Sequence, residues 1–373
     1  MPIVLHSESL RLGPGGQTIR LVEEARRLNA LSGWTCHVAG HSPGPLDDDL
    51  TGEPWYHPFR FNRSRLHPGS LLRALRLLDE VKPDILHTHS SLDAWIFGIA
   101  GRIRGIPIVR GRHSSWPLKS PAFRNISATH LADAFTVSGA TIGRILTSSG
   151  MVREEQIFDT AGGFDSRRFD PDSVDRDRIR RELGLNAQSS VIGAACTVRP
   201  TKGIDILIQA FINMLGGAKD RDVHLVVAGT VSSEDRASLA AAEPSRIHFL
   251  GYRDDIEHVI SGMDLLVVPS RKADGVPQVI PQAMALRVPV VGTSAGGIPD
   301  AVIHEETGFI VPPEDPDALS SMMERVMTIQ TAGLSDLLER ARERALRRYT
   351  FDRILNKYIE AYRFLLGRDP NTP

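Results

Sequence analysis

Short apolar runs alternate with amphipathic stretches along nearly the whole chain. In the first half the runs are Ile3-Val4-Leu5, Thr35 to Ala39, Ile85-Leu86-His87, Ile108-Val109 and Ala134 to Val137. Between them, apolar residues recur at helical spacing in Ile19 to Leu31, Ser70 to Val81, Ala94 to Ile103 and Thr141 to Ser148. Strands apolar on both faces and separated by helices predict a parallel sheet covered on both sides. The alternation breaks at Gly162-Gly163-Phe164-Asp165, runs through Arg167 to Asp172, and stays highly charged to Arg181. Polar, Gly- and Pro-bearing sequence between two periodic regions reads as an interdomain linker. Alternation restarts at Val191 to Thr197 and continues through Val223 to Ala228, Ile247 to Leu250, Leu265 to Val268, Pro289 to Gly292 and Gly308 to Val311. Two helical patterns close the chain, Leu334 to Arg348 and Phe351 to Leu366. The expectation is an α/β protein with two doubly wound parallel sheets, residues 1–170 and 171–350, followed by a helical segment 351–373. Such sheets bind ligands beyond the carboxyl ends of their strands, and two of them facing each other would form a deep cleft.

Length agrees with that division, since 373 residues suit two domains of about 150–200 residues better than one core. The 45 acidic and 44 basic residues nearly cancel, so no global field points to nucleic acid. Cys36 and Cys196 lie inside apolar runs and read as buried thiols, in keeping with a reducing cytoplasm. The first strand follows directly on Pro2, so no targeting leader is expected. No apolar stretch reaches the length of a membrane span, which leaves peripheral contact as the membrane mode to consider.

Candidate chemistry gathers where strands end. Gly13-Pro14-Gly15-Gly16-Gln17-Thr18 follows the first strand and opens a helix, presenting backbone N–H groups to an anion. The spacing is not G-x-G-x-x-G, and a simple tight turn explains the glycines equally well. Val198-Arg199-Pro200-Thr201-Lys202-Gly203 places two cations just past the first strand of the second domain. Arg199 could fork onto phosphate oxygens and Lys202 act as a compact charge beside it; the alternative is a pair of solvated loop cations. The richest segment runs from Asp274-Gly275-Val276-Pro277-Gln278-Val279 to Gln282, then through Gly296-Gly297. Pro277 suits a first helical position, Gln278 and Val279 offer N–H groups at a positive helix end, and Gln282 can point its amide the same way.

These segments, taken in order, resemble the signature of family-4 retaining glycosyltransferases of the GT-B fold. The match in order spans essentially the whole chain, from Gly15-Gly16-Gln17 through the 162–169 linker and Arg199 to Lys202 to the terminal helices. His87-Thr88-His89-Ser90-Ser91-Leu92-Asp93, Arg110-Gly111-Arg112-His113 and Val276-Pro277-Gln278 resemble the branch that builds lipopolysaccharide and other surface glycans. The resemblance implies two Rossmann-like domains with C-terminal helices crossing back to the first.

It also implies roles. Two glutamates bracket the signature helix in such enzymes, one near the donor sugar and one on the ribose; here they are Asp274 and Gln282, departures that keep charge in one case and hydrogen bonding in the other. Lys202 matches a diphosphate lysine, while the arginine expected shortly before it is Thr197, so Arg199 is assigned the second positive charge. Gly15, Gly16, Gln17, Gly275, Val276, Gln278 and Val279 are assigned to the donor, and the backbone near Tyr252 and Arg253 to its base. His113 matches a histidine facing the donor sugar. His87, His89, Asp93 and Arg112 are assigned to the acceptor, with packing an equal alternative for the two histidines.

The implied activity is transfer of a sugar from a nucleotide-diphosphate sugar to a glycan or lipid-linked glycan; the expected location is the cytoplasm, with peripheral contact at the inner face of the cell membrane as the alternative. No metal and no cofactor are expected. Acidic pairs at 170/172, 175/177, 220/222 and 315/317 sit in charged connectors, where solvated surface outweighs a metal site. Arginine is abundant and acid sparse between Arg60 and Lys119, which suits an acidic glycan, anionic lipid, or a plain solvated face. Two other readings share the architecture: a nucleotide-sugar 2-epimerase, revealed by conversion without acceptor, and a non-catalytic nucleotide-sugar-binding protein, revealed by tight binding without turnover.

Overall fold

The computed structural model describes residues 1–11, 16–113, 130–216, 222–240, 245–272, 275–329 and 331–367. The chain divides into two compact units, Met1–Ala161 with Phe351–Pro373, and Gly162–Thr350.

The first unit holds strands β1 (Ile3–Glu8), β2 (Thr35–His41), β3 (Tyr56–Phe59), β4 (Ile85–Thr88), β5 (Ile108–Arg112), β6 (Ala134–Val137) and β7 (Ile157–Asp159). They pair in parallel in the order β3-β2-β1-β4-β5-β6-β7. Alternation of side chains across the sheet sorts the core: Val4 joins Leu21, Leu28 and Val38 on one face, and Leu5 joins Phe59, Leu78 and Phe97 on the other. The helix Phe351–Leu365 completes the first of these layers, burying Ile354, Tyr358 and Tyr362 against the sheet and the helix Gly16–Ala30. Both phenols reach partners, as buried hydroxyls must: Arg20 donates to Tyr358, and Tyr362 lies 2.9 Å from His87 Nδ1 and 3.1 Å from His6 Nε2.

The second unit holds β8 (Ser190–Ala195), β9 (Val223–Ala228), β10 (Ile247–Gly251), β11 (Leu265–Val268), β12 (Val290–Thr293) and β13 (Phe309–Val311). Its parallel order is β10-β9-β8-β11-β12-β13. Its core stacks Leu207 and Phe211 of the helix Ile204–Gly216 and Met323 of the helix Pro316–Thr328 on Ile192, Leu225 and Val267. The segment opening this unit is built into it, with Gly163 and Phe164 N–H groups donating to the Tyr349 carbonyl and Phe164 bridging Thr350.

Both sheets are the doubly wound parallel type that the alternation predicts. The periodicity does not disclose β3 and β7: both are edge strands, short, with Pro58 in one and Asp159 in the other. Cys36 is buried, whereas Cys196, just past the end of β8, is half-buried. Among the described residues no helix is long and apolar enough to cross a membrane.

Candidate functional site

Strand order reverses once in each sheet, between β1 and β4 and between β8 and β11. At such a switch point the two crossovers leave in opposite directions and open a crevice at the carboxyl ends of the strands.

In the first unit the crevice is lined by buried polar residues. Glu8, the last residue of β1, accepts from the Leu10 N–H at 3.0 Å, from Ser90 Oγ and from Gln17 Nε2. Burial with Asp93 nearby pushes the Glu8 carboxyl up to about 8, although its three donors oppose this. Asp93 accepts from the His89 N–H at 2.8 Å, the Ser90 N–H at 3.0 Å, Ser9 Oγ at 2.9 Å and Ser7 Oγ at 3.2 Å. It thereby caps the helix Ser91–Arg104 as well as anchoring the loop after β1. Burial raises it to about 6 against the pull of Arg110. Arg110 is itself lowered to about 10 by burial, and its Nη1 has no hydrogen-bond partner among the described residues.

Histidines fill the floor beside these carboxyls. His6 Nδ1 lies 2.9 Å from His89 Nε2, and His87 Nε2 lies 3.0 Å from Thr136 Oγ1. Ring nitrogens of His6, His87 and His89 come within 4.8 Å of one another, the group with the proximity of a metal cage among the described residues. Both nitrogens of His6 and of His87 and one of His89 are already engaged in hydrogen bonds. Burial holds all three below the usual imidazole range, His6 at about 3, so the rings are neutral. His113, also lowered to about 3, stacks over His89 at 5.9 Å and contacts Ser138 Oγ at 2.8 Å. Its Nε2 is buried without a partner among the described residues. A Cβ on Gly111 would stand 3.1 Å from both His113 Nε2 and His89 Nδ1, so glycine lets the two rings pack closely against the backbone of β5.

In the second unit, the loops after β8 and β11 are bound to each other. Gly203, at φ +67°, lies so close that a Cβ there would be 2.1 Å from the Pro269 carbonyl oxygen. The Arg271 N–H donates to the Thr201 carbonyl at 2.9 Å, and its guanidinium donates to the Pro200 carbonyl at 2.8 Å and to Asp205. Lys202 ends the short turn Pro200–Lys202, half-buried, and Arg199 precedes it, exposed. On the β11 side, Gly275 and Val276 are buried against Gly297, where a Cβ would sit 2.7 Å from the Val276 nitrogen. Gln278 opens the helix Val279–Ala285 and donates its amide to the Gly163 carbonyl at 3.0 Å; Gln282 is half-buried one turn on. Beyond β10, Tyr252 is exposed, while Arg253 is clasped by Glu182 at 2.6 Å and Asp255 at 2.7 Å.

The structure therefore gathers Gly16, Gln17, His89, Asp93, Arg112 and His113 at the ligand edge of the first sheet, whereas His87, inside β4, is fully buried with both ring nitrogens bonded to Tyr362 and Thr136. Arg199, Lys202, Tyr252, Arg253, Gly275, Val276, Gln278, Val279 and Gln282 fall at the same edge of the second. Gly15 and Asp274 lie outside the described residues. Of the acidic residues in the connectors, Asp175 pairs with Arg181, Asp222 with His224, and Asp315 caps its helix through the Ala318 N–H, while Asp220 lies outside the described residues. From the sequence, no site role falls to His6, Glu8 or Arg271, and Tyr362 is placed only on the apolar face of the last helix. For the first two, the readable signal was a run of polar residues continuing a strand that ends at a ligand edge.

Two family models match the chain, Glycosyltransferase Family 4 over residues 14–158 and Glycosyl transferases group 1 over residues 189–328. A D-inositol 3-phosphate glycosyltransferase of Salinispora tropica is 27% identical over 392 residues, covering 93% of this chain and 80% of that protein. Among solved structures, a glycosyltransferase from Rickettsia africae superposes with a TM-score of 0.86 at 20% identity, over 99% of both chains. Anabaena HepE in complex with UDP-glucose superposes with a TM-score of 0.81 at 20% identity, over 98% of this chain and 99% of that one. With a glycosyltransferase family model over a stretch of each unit and a doubly wound parallel sheet in both, the chain belongs to the family-4 (group 1) glycosyltransferases and has their GT-B fold.

Proposed function

We propose that the protein transfers a sugar, with retention, from a nucleotide-diphosphate sugar to a hydroxyl of a glycan or lipid-linked glycan that builds the cell surface. The observation that carries this reading is the crevice of the second sheet, where Arg199 and Lys202 stand past β8 and the N–H groups around Gln278 and Val279 past β11. Cleaving a sugar–phosphate bond develops negative charge on the departing diphosphate. A lysine, an arginine and aimed amides supply the compensating charge without a metal ion, and the Gly203 and Arg271 contacts hold their two loops fixed. Gln282 takes the ribose hydroxyls. The UDP-glucose bound to Anabaena HepE supports a nucleotide-sugar donor.

The acceptor belongs to the edge of the first sheet. Arg102 and Arg104 are consumed in ion pairs with Asp133 and Asp79. Arg60, Arg63, Arg65 and Arg76 remain exposed beside exposed Leu66 and Leu72. A face of that kind suits an acidic acceptor and peripheral contact with anionic lipid.

Thermal stabilisation by a panel of nucleotide sugars, followed by transfer assays, tests the reading. Lys202→Ala is expected to lower transfer by about 100- to 1000-fold while the fold persists. Unchanged turnover in that variant would remove the phosphate assignment.

A further inference from the structure

Three buried histidines of the first unit, His6, His87 and His89, are joined through Tyr362 into one continuous hydrogen-bonded line, and its end lies at the ligand edge. Thr136 Oγ1 meets His87 Nε2 at 3.0 Å; His87 Nδ1 meets the Tyr362 hydroxyl at 2.9 Å. The same hydroxyl meets His6 Nε2 at 3.1 Å, and His6 Nδ1 meets His89 Nε2 at 2.9 Å. The remaining nitrogen of His89, Nδ1, lies against Gly111 of β5 beside His113.

Neutral imidazole carries one N–H and one lone pair, and a phenol has one proton to give. These rules leave the line two arrangements. If Tyr362 donates to His87, His6 must donate to Tyr362 and accept from His89, and His89 Nδ1 is a bare lone pair. If Tyr362 donates to His6, His6 donates to His89, and His89 Nδ1 carries the proton. Thr136 accepts in the first arrangement and donates in the second. Any break in alternation sets two donors or two lone pairs face to face in a buried site, which is costly.

We propose that Tyr362, on the C-terminal helix, is a positioning residue that fixes through His6 whether His89 presents a proton or a lone pair at the ligand edge. A ligand hydroxyl that reaches His89 Nδ1 is thereby met by a group of set polarity. This consequence for binding rests on the glycosyl-transfer reading; the line itself does not. The same nitrogens satisfy one another without an ion, which favours a relay of hydrogen bonds over a metal cage.

The test is nitrogen-15 NMR of the histidine rings in the full chain. A scalar coupling across His6 Nδ1 and His89 Nε2, with a single tautomer at His89, is expected in the unaltered protein. In Tyr362→Phe, His89 is expected to show a mixture of tautomers although it does not touch residue 362. Tyr358→Phe removes a buried hydroxyl from the same helix but outside the line, and should leave the His89 signals unmoved. Transfer efficiency should fall by up to about tenfold in Tyr362→Phe, the scale of one hydrogen bond lost. An absent coupling in the unaltered protein overturns the proposal whether or not the variant folds. So does an unaltered His89 tautomer in Tyr362→Phe, or a stoichiometric metal ion in the purified protein. If no transfer is found on any acceptor yet His89 responds, the function is refuted and the line stands.

Discussion

Replacing Glu8 by glutamine should leave stability about unchanged in acid and raise it progressively as pH rises. Glu8 is fully buried, and its carboxyl moves from 4.5 to about 8 in the fold. Below pH 4.5 folded and unfolded chains both hold this proton, so it contributes nothing to stability. Between 4.5 and about 8 the unfolded chain has released a proton that the folded chain keeps, and stability falls as pH rises. Above that window the loss is complete, up to about 5 kcal/mol at 1.36 kcal/mol per pH unit. Glutamine has no such proton to lose. Its carbonyl can still accept from Leu10 and Ser90, but its NH2 would meet that of Gln17 unless one amide turns, a cost of about 1–2 kcal/mol. Relief of Asp93 acts in the same direction as the gain. We therefore expect Glu8→Gln to be near neutral or slightly destabilising at pH 4.5 and stabilising by about 2–4 kcal/mol at pH 9. In calorimetric scans of a unit of this size that gain is a rise of roughly 5–15 °C in Tm. A stability difference that stays flat from pH 4.5 to 9 would refute the reasoning, because it would mean that Glu8 titrates alike in both states.

Three further outcomes follow from the geometry. Gly203→Ala forces a methyl group to 2.1 Å from the Pro269 oxygen at a positive φ, and should destabilise the second unit by about 3 kcal/mol or more; a Tm within a degree of the parent would show that the two loops separate readily. Gln282→Ala should weaken nucleotide-sugar binding by about tenfold in calorimetric titration, and an unchanged Kd would remove it from the ribose. Anionic vesicles should float the protein at low salt and release it at high salt, and a variant carrying Arg63→Ser, Arg65→Ser and Leu66→Ser should stay behind; flotation equal to the parent's would move the contact elsewhere.

The sheets were legible because parallel strands buried on both faces write themselves as unbroken apolar runs, such as Leu265 to Val268. Edge strands β3 and β7 were not, since half-exposed pairs of mixed polarity carry no such run. The loop after β8 could be located by its cations, yet the residue that fixes it, Arg271, comes from another loop far along the chain and has no local signature. Tyr362 illustrates the same limit: on the helical wheel it is one more apolar-face residue beside Ile354 and Tyr358, and only the fold brings its hydroxyl to His87 and His6. Buried carboxyls such as Glu8 are equally silent, because burial that deep depends on neighbours contributed by the cap of the helix Ser91–Arg104 and by the helix Gly16–Ala30.

The return of the helix Phe351–Leu365 to the first unit makes that unit discontinuous, whereas the second is a single uninterrupted length of polypeptide. Synthesis therefore releases everything the second unit needs before the first has its final layer. Until residues 351–365 have emerged from the ribosome, the side of the first sheet around Val4 and Val38 lacks the cover of Ile354, Tyr358 and Tyr362, so the unit whose strands emerge first is completed after the second.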